Sequence, residues 1–363
     1  MDASLNEKLS SVEWGEYRLG DLFSIEGTLS FNTERTVYGK EYDYVTRTSL
    51  NQGVLKTTGF VNEENINLPG TWSLGLLQMD FFYRDKPWYA GQFVRKITPK
   101  LKIPKGDVLF FSTLLNKQKK KLLSVLVRNV DNTFNEIKIK LPLTKNGSID
   151  FAFMESFMAE LKAERIAELS SYLKVSGLEN YELSEEEEKA IKDYPNTEFK
   201  KFDLIKVFDV NNTHNILSSD ITAKSGKIPY LCASANNNSV NTYIEYDKNY
   251  LDKGHCIFVG GKTFVVSYQE NDFFSNDSHN LALYLKNYDA TKLKYLYLAT
   301  CLRTSLNHKY SWGNSISRAK IEKDKIYLPV RNNIIDFETM DLLISAIQKL
   351  VIKDVVLYSE KNI

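Results

Sequence analysis

The sequence predicts an α+β chain built twice over, with two tandem β-rich blocks in a pseudo-twofold arrangement, separated by two long antiparallel, coiled-coil-like helices. Three observations predict it. Islands of sequence recur in the same order at nearly one offset. Short alternating strands fill the space between the islands. Each repeat ends in one long helical stripe.

The repeat comes first, because a missed repeat miscalls the fold. Tyr17, Leu19, Phe23 and Ile25 in "EYRLGDLFSI" match Phe202, Leu204, Phe208 and Val210 in "KFDLIKVFDV", 185 residues on. "YVTRTSLNQGV" from Tyr44 matches "YLCASANNNSV" from Tyr230 at an offset of 186. "IKIKLPLTKNGSIDF" ends at Phe151 and "DKIYLPVRNNIIDF" at Phe337, with their Leu-Pro pairs 187 apart. Three islands in order at one offset mark a tandem duplication whose halves have diverged in between.

Within each half, strands come before the helix. "IPYLCAS", "NTYIEY", "HCIFVGG", "TFVVSYQ" and "NLALYL" alternate apolar and aromatic residues between Asn, Gly and Asp clusters, which reads as short strands and turns. Leu-Pro then stops a strand, because proline cannot donate to a ladder. In "FETMDLLISAIQKLVIKDVVLY", Met340, Leu343, Ile344, Ile347, Leu350 and Val351 fall on one helical face. Its counterpart "FAFMESFMAELKAERIAELSSYLK" carries Met154, Phe157, Met158, Leu161, Ile166, Leu169 and Leu173. Helices of roughly 24 residues extend about 36 Å. That is long for caps on small domains, and suits an antiparallel pair bridging two blocks. The competing reading packs each stripe on its own domain. In "LSEEEEKAIKDY", Ser184 caps a short helix with Glu187 three residues on. The expected organisation is a first block over 1–150, first helix and linker over 151–197, second block over 198–335 and second helix over 336–363.

The net charge of +1 hides an uneven distribution. Residues 1–150 carry 21 Lys and Arg against 17 Asp and Glu, and residues 197–335 carry 18 against 13, so both are basic. Residues 151–196 carry 5 against 11, and 336–363 carry 3 against 5, so both are acidic. Basic blocks alternating with acidic helices suit a polyanion on the blocks and protein on the helices. Cys232, Cys256 and Cys301 are far apart and form no C-x-x-C pair, which argues against a disulfide scaffold or structural zinc and for a reducing compartment. The N-terminal "MDASLNEKLS" lacks a signal-peptide core, and no apolar run reaches the roughly 18 residues of a membrane span. A cytoplasmic protein is expected.

Enzyme signatures are missing. "GGKT" at Gly260–Thr263 has Cys256 where a phosphate loop needs glycine. No G-x-G-x-x-G follows a strand, and no Asn/Asp-Pro-Pro-aromatic motif of an amino-methyltransferase is present. Glu198-Phe199-Lys200 behind Asp193 is a linker coincidence rather than a nuclease motif. His214, His255, His279 and His308 lack metal-ligand spacing.

The chain resembles the specificity subunit of type I restriction–modification systems, and the closely similar recognition subunit of type IIB systems. In the second half the resemblance rests on "GKIPYLCASANNNSVNTYI", "GHCIFVGGKTFVVSYQENDFFSNDSHNLALYL" and "KYSWGNSISRAKIEKDKIYLPV". In the first it rests on "EWGEYRLGDLFSI" and "IKLPLTKNGSIDFAFMESFMAEL". It covers nearly the whole chain. Motif order, duplication and paired helices are specific together, and no single motif is. The first block departs most: "LNKQKKK" (Leu115–Lys121) stands in for "HKYSWGN". The resemblance implies two target-recognition domains, each reading one half of a split site in double-stranded DNA. It implies a subunit that does no chemistry, holds no cofactor and docks methyltransferase subunits, which bring S-adenosylmethionine. A restriction–translocase subunit joins them, and no membrane is involved.

Candidate DNA-binding residues follow from residue type and loop position. Cationic and amide side chains on turns suit phosphates and base edges. In "HKYSWGN" and just beyond, Lys309, Tyr310, Trp312, Asn314 and Arg318 are candidates; core packing of Tyr310 and Trp312 is the competing reading. Asn236, Asn237 and Asn238 form a run of amides suited to a turn. Lys262, Asn276 and His279 complete the second block. Lys40, Arg47, Thr48, Asn51 and Gln52, with Lys117, Lys119, Lys120 and Lys121, are the candidates in the first. For the lysine run, a merely solvated loop stays open. A tandem β-rich module binding carbohydrate or protein is the alternative function.

Overall fold

The computed structural model describes residues 3–286, 288 and 290–362. The chain divides into two compact units, one reaching Leu169 and including Asn362, the other running from Ser170 to Lys361.

Unit 1 contains α1 (Ala3–Ser11), β1 (Glu13–Arg18), α2 (Leu19–Leu22), β2 (Phe23–Gly27), β3 (Tyr42–Val45), β4 (Val54–Thr58), β5 (Thr71–Gly75), β6 (Asp80–Arg84), β7 (Trp88–Ala90), β8 (Val94–Pro99), α3 (Val108–Lys117), α4 (Lys119–Leu123), α5 (Val130–Glu136) and β9 (Lys138–Leu143). Its last helix, α6 (Phe151–Val175), crosses the boundary. Unit 2 contains α7 (Glu185–Asp193), β10 (Phe199–Asp203), α8 (Leu204–Val207), β11 (Phe208–Asn212), β12 (Ile228–Leu231), β13 (Val240–Ile244), β14 (Cys256–Val259), β15 (Val266–Gln269), β16 (Phe274–Ser275), β17 (Leu281–Leu285), α9 (Lys292–Leu306), α10 (Arg318–Ile321), β18 (Lys325–Arg331), β19 (Ile334–Ile335) and α11 (Phe337–Asn362).

The duplication is explicit in the pairing. Unit 1 builds sheets β2-β8-β5-β6 and β4-β3-β7; unit 2 builds β11-β17-β14-β15 and β13-β12-β16. β1 pairs with β9 as β10 pairs with β18. Register is preserved too: Trp72 faces Tyr83, and Ile257 faces Tyr268, each 185 residues later. One strand pair per small sheet is parallel, β3 with β7 and β12 with β16. In unit 1 the core gathers Phe23 between Trp72 and Phe111, with ring centroids 5.8 and 6.0 Å away. In unit 2 Tyr268 stacks on Tyr295 at 5.5 Å, and the Tyr295 hydroxyl accepts from the Leu285 backbone N–H.

Three expectations change. The Leu-Pro pairs lie inside β9 and β18 rather than ending them. Each proline carbonyl still accepts a bond, Pro142 from Asp150 N–H and Pro329 from Asp336 N–H, so the ring nitrogen alone leaves the ladder. Those aspartates then cap the long helices, accepting from Phe153 and Thr339 N–H. Second, the lysine run Lys117–Lys121 lies in α3 and α4, not in a loop, because Phe110, Phe111, Leu115 and Leu122 bury one helical face. Third, the α11 stripe buries only its start: Met340 and Leu343 join the core, while Ile347, Leu350 and Val351 stay 48%, 51% and 74% exposed.

Ser184 and Glu187 form the capping box expected of α7. The Glu187 carboxylate, nearly buried, also accepts from Ser345 and Lys349 of α11. Burial alone would raise it; the Lys349 and Ser345 bonds win and hold it below the usual carboxylate range. No helix among the described residues is long and apolar enough to cross a membrane.

Candidate nucleic-acid interface

The centre of each candidate interface is one turn, built twice. Between β3 and β4, Asn51, Gln52 and Gly53 are all left-handed, with φ of 46°, 52° and 79°. Between β12 and β13, Asn237, Asn238 and Ser239 are left-handed with φ of 48°, 50° and 68°. Few side chains accept that backbone, and asparagine is among those that do. The same bonds close both turns. Thr46 N–H reaches the Gly53 carbonyl at 2.8 Å, as Cys232 N–H reaches Ser239 at 2.9 Å. The Asn51 amide donates to Val54 at 3.1 Å, as Asn237 donates to Val240 at 3.0 Å. Thr48 Oγ1 and Ser234 Oγ accept from Leu50 and Asn236 N–H. The fold is shared and the side chains differ, so each unit presents different groups on one scaffold.

A glycine lets each turn sit close to the large sheet. A Cβ on Gly75 would lie 2.8 Å from the Arg47 Cα, and one on Gly260 would lie 2.7 Å from the Ala233 Cβ. In unit 1 a polar cleft of about 480 Å³ opens beside the turn, lined by Arg47, Thr48, Gln78 and Gln92 among others. In unit 2 four loops are tied together. Thr263 Oγ1 donates to the Ala233 carbonyl, Gly261 N–H to the Asn280 side chain, and Ile316 N–H to the Gly261 carbonyl. These bonds gather Asn236–Asn238, Lys262, Asn276 and His279, and the Lys309–Asn314 loop.

The expected residues divide by what their side chains already do. Asn236 is exposed on the turn. Asn237 is committed to closing it, and Asn238 donates to the Tyr268 carbonyl at 2.9 Å. Lys262 and His279 share Asp277, at 3.0 and 2.8 Å. Partial burial would raise Asp277, but the His279 and Lys262 bonds hold it low, so the loop carries a fixed charge cluster. Asn276 is half-buried, and its side-chain oxygen accepts from Asn280. Trp312 is 77% exposed and available to a partner. Asn314 holds its loop, donating to the Lys309 carbonyl and accepting from Lys320. Arg318 pairs with Glu322 and lines a different cleft, with His214 and Lys253.

Tyr310 is a core residue, not a contact residue. It is 3% exposed, lies 5.5 Å from the Phe264 ring, and donates to the buried Asp324. Lys309 donates to the same carboxylate, so its ammonium anchors the loop as well as facing solvent. In unit 1, Arg47 lies over the Phe93 ring at 5.3 Å, Thr48 lines the cleft, and Asn51 and Gln52 form the turn. Lys40 precedes β3, at the opposite end of that strand from the turn. Lys119 bonds Asp80 at the start of β6, 2.5 Å away. Lys117 lines an apolar groove with Leu9, Trp14 and Phe157, away from the turn. Lys120 and Lys121 lie on α4. Leu50 is 78% exposed on the first turn, and Gln78 and Gln92 line the cleft beside it; as uncharged residues outside any amide run they carry no sequence signal. Among the described residues no group of three or more His, Cys, Asp and Glu is placed to hold a metal ion.

Comparison with known proteins agrees with this duplicated plan. The model of the type I restriction modification DNA specificity domain matches the chain twice, over residues 11–171 and 196–356. The S.BcgI specificity subunit of a type II restriction enzyme from Heyndrickxia coagulans is 22% identical over 266 residues, 72% of each chain. The S subunit of a type I restriction–modification system from M. genitalium superposes with a TM-score of 0.59 at 13% identity, over 97% of this chain and 92% of that one. At that identity the likeness speaks for the fold.

Proposed function

Since the chain belongs to the family of type I restriction–modification DNA specificity subunits, we propose that it selects a bipartite site in double-stranded DNA, each unit reading one half. The observation that carries this reading is the left-handed turn built twice with different side chains. Shared backbone places both sets of groups alike, and divergent side chains give each half its own sequence preference. Lys262 and Lys309 on the loops around the second turn, and Arg47 beside the first, supply sequence-independent contact with phosphates.

The chain reads DNA and leaves chemistry to its partners. Methyltransferase subunits carrying S-adenosylmethionine dock on it, and a restriction–translocase subunit completes the restricting complex. The exposed Ile347, Leu350 and Val351 on α11 support a protein-facing helix. α6 and α11 are 25 and 26 residues long, about 38 Å each at 1.5 Å per residue, a length that suits a ruler for the unread spacer.

The test is binding of the split duplex at two salt concentrations, with and without methyltransferase partners. Specificity for DNA predicts an affinity that falls steeply, roughly a thousandfold, between 50 and 200 mM salt. A salt-independent affinity for a glycan would replace the reading with the carbohydrate-binding alternative. Methyl transfer or cleavage by the purified chain alone would overturn the non-catalytic assignment.

A further inference from the structure

Beneath each left-handed turn lies one buried polar side chain at the same register. Arg84 ends β6 opposite Thr71, and Gln269 ends β15 opposite Cys256, so both pairs shift by 185 residues. Arg84 is 3% exposed and Gln269 4%. Arg84 Nη2 donates to the Gln52 carbonyl. Gln269 Nε2 donates to the Asn238 carbonyl at 2.9 Å. Gln52 and Asn238 are the middle residues of the two turns. Each donor is also fixed by a serine hydroxyl: Arg84 by Ser73 at 2.7 Å, Gln269 by Ser267 at 2.9 Å.

The turn needs such a donor. Asn51 and Gln52 in one turn, and Asn237, Asn238 and Ser239 in the other, are non-glycine residues held left-handed, and such strain persists only where the surroundings hold it. The middle carbonyl points into the protein, and a buried acceptor without a partner is costly. Arginine and glutamine share little except an N–H at the right reach. Two diverged halves have kept the bond while changing the residue, which makes the bond the functional unit. Burial lowers the Arg84 guanidinium to about 10, so it remains a cation at neutral pH, whereas Gln269 is neutral. The charge is therefore dispensable and the donor is not.

We infer that Arg84 and Gln269 are positioning residues for base reading, each locking one recognition turn and so setting the stringency of one half-site. The inference rests on the DNA-reading function above. It assigns no contact with DNA to either side chain; they act through the backbone of Gln52 and Asn238.

The test uses the full chain in cells with its methyltransferase partners, and maps modified sites across the genome. In Arg84→Ala, modification should spread to sites with one changed base in one half, rising about tenfold, while the other half stays strict. Tenfold corresponds to about 1.4 kcal/mol of lost discrimination. Gln269→Ala should relax the other half alone. Arg84→Gln, which installs the donor used in unit 2, should restore stringency. A parent that modifies only continuous sites overturns the two-half reading beneath the inference. A split site in the parent with both alanine variants unchanged, or with each relaxing both halves, overturns the inference itself. So does Arg84→Gln behaving like Arg84→Ala. Should Arg84→Ala fail to fold, Gln269→Ala decides alone: strictness in both halves refutes it.

Discussion

Replacing Asp107 by asparagine should abolish a pH dependence built into unit 1. Asp107 precedes α3 and is completely buried. Neither carboxylate oxygen has a hydrogen-bond partner among the described residues. Burial, with Glu155 nearby, pushes the group up from 3.8 to about 6. A folded value above the unfolded one means that the folded state holds the proton more tightly. Stability is then highest below pH 4, falls as pH rises from 3.8 towards 6, and stays low above. At about 1.36 kcal/mol per pH unit, the rise costs about 3 kcal/mol at neutral pH. An asparagine side chain cannot ionise and escapes that cost. The stability of Asp107→Asn should therefore gain on the parent's by about 2.5 kcal/mol between pH 4 and pH 8. Tryptophan fluorescence during urea unfolding is the assay. Trp14, Trp72 and Trp88 all lie in unit 1, with Trp72 and Trp88 fully buried, and Trp312→Phe silences unit 2. Other titrating groups cancel in the difference. A parent-to-variant difference that stays flat from pH 4 to 8 would refute the argument, and would mean that Asp107 finds a partner in solution.

Tyr310→Phe should lower the stability of unit 2 by about 1–3 kcal/mol, because buried Asp324 loses a donor, while the folded variant keeps its half-site preference. Trp312→Ala should do the reverse: thermal stability within about 0.5 kcal/mol of the parent, and weaker binding to duplexes carrying one intact half-site. Unchanged binding would remove Trp312 from the interface. Gly75→Ala and Gly260→Ala should each push a recognition turn off its sheet, costing about 1–3 kcal/mol and one half-site apiece, as binding to half-mutated duplexes would report. Four residues inserted after Arg165 add about 6 Å to α6 while nearly keeping its face, so methylation-site sequencing should find the spacer one or two base pairs longer. An active variant with an unchanged spacer would reject the helix as a ruler.

Much of this plan is legible in one dimension, because duplication and amphipathic period are properties of order along the chain. The offset of 185 by itself sets β1, α2 and β2 opposite β10, α8 and β11, and the apolar spacing locates α6 and α11. Ser184 and Glu187 announce α7, since capping is a contact between residues three apart. The turns are visible as clusters of asparagine, glutamine and glycine, the residues that tolerate left-handed backbone. Tertiary structure decided what depends on partners distant in sequence. A tyrosine in "HKYSWGN" reads the same whether exposed or buried; Phe264 and Asp324 decide that Tyr310 is core. Lysines in a run read as solvated charge, and only the buried Phe111, Leu115 and Leu122 turn the run into helix. Arg84 and Gln269 were silent, because arginine and glutamine share no sequence pattern. Their equivalence lies in a hydrogen bond to a turn more than thirty residues away, and sequence records residue types while such a bond records geometry.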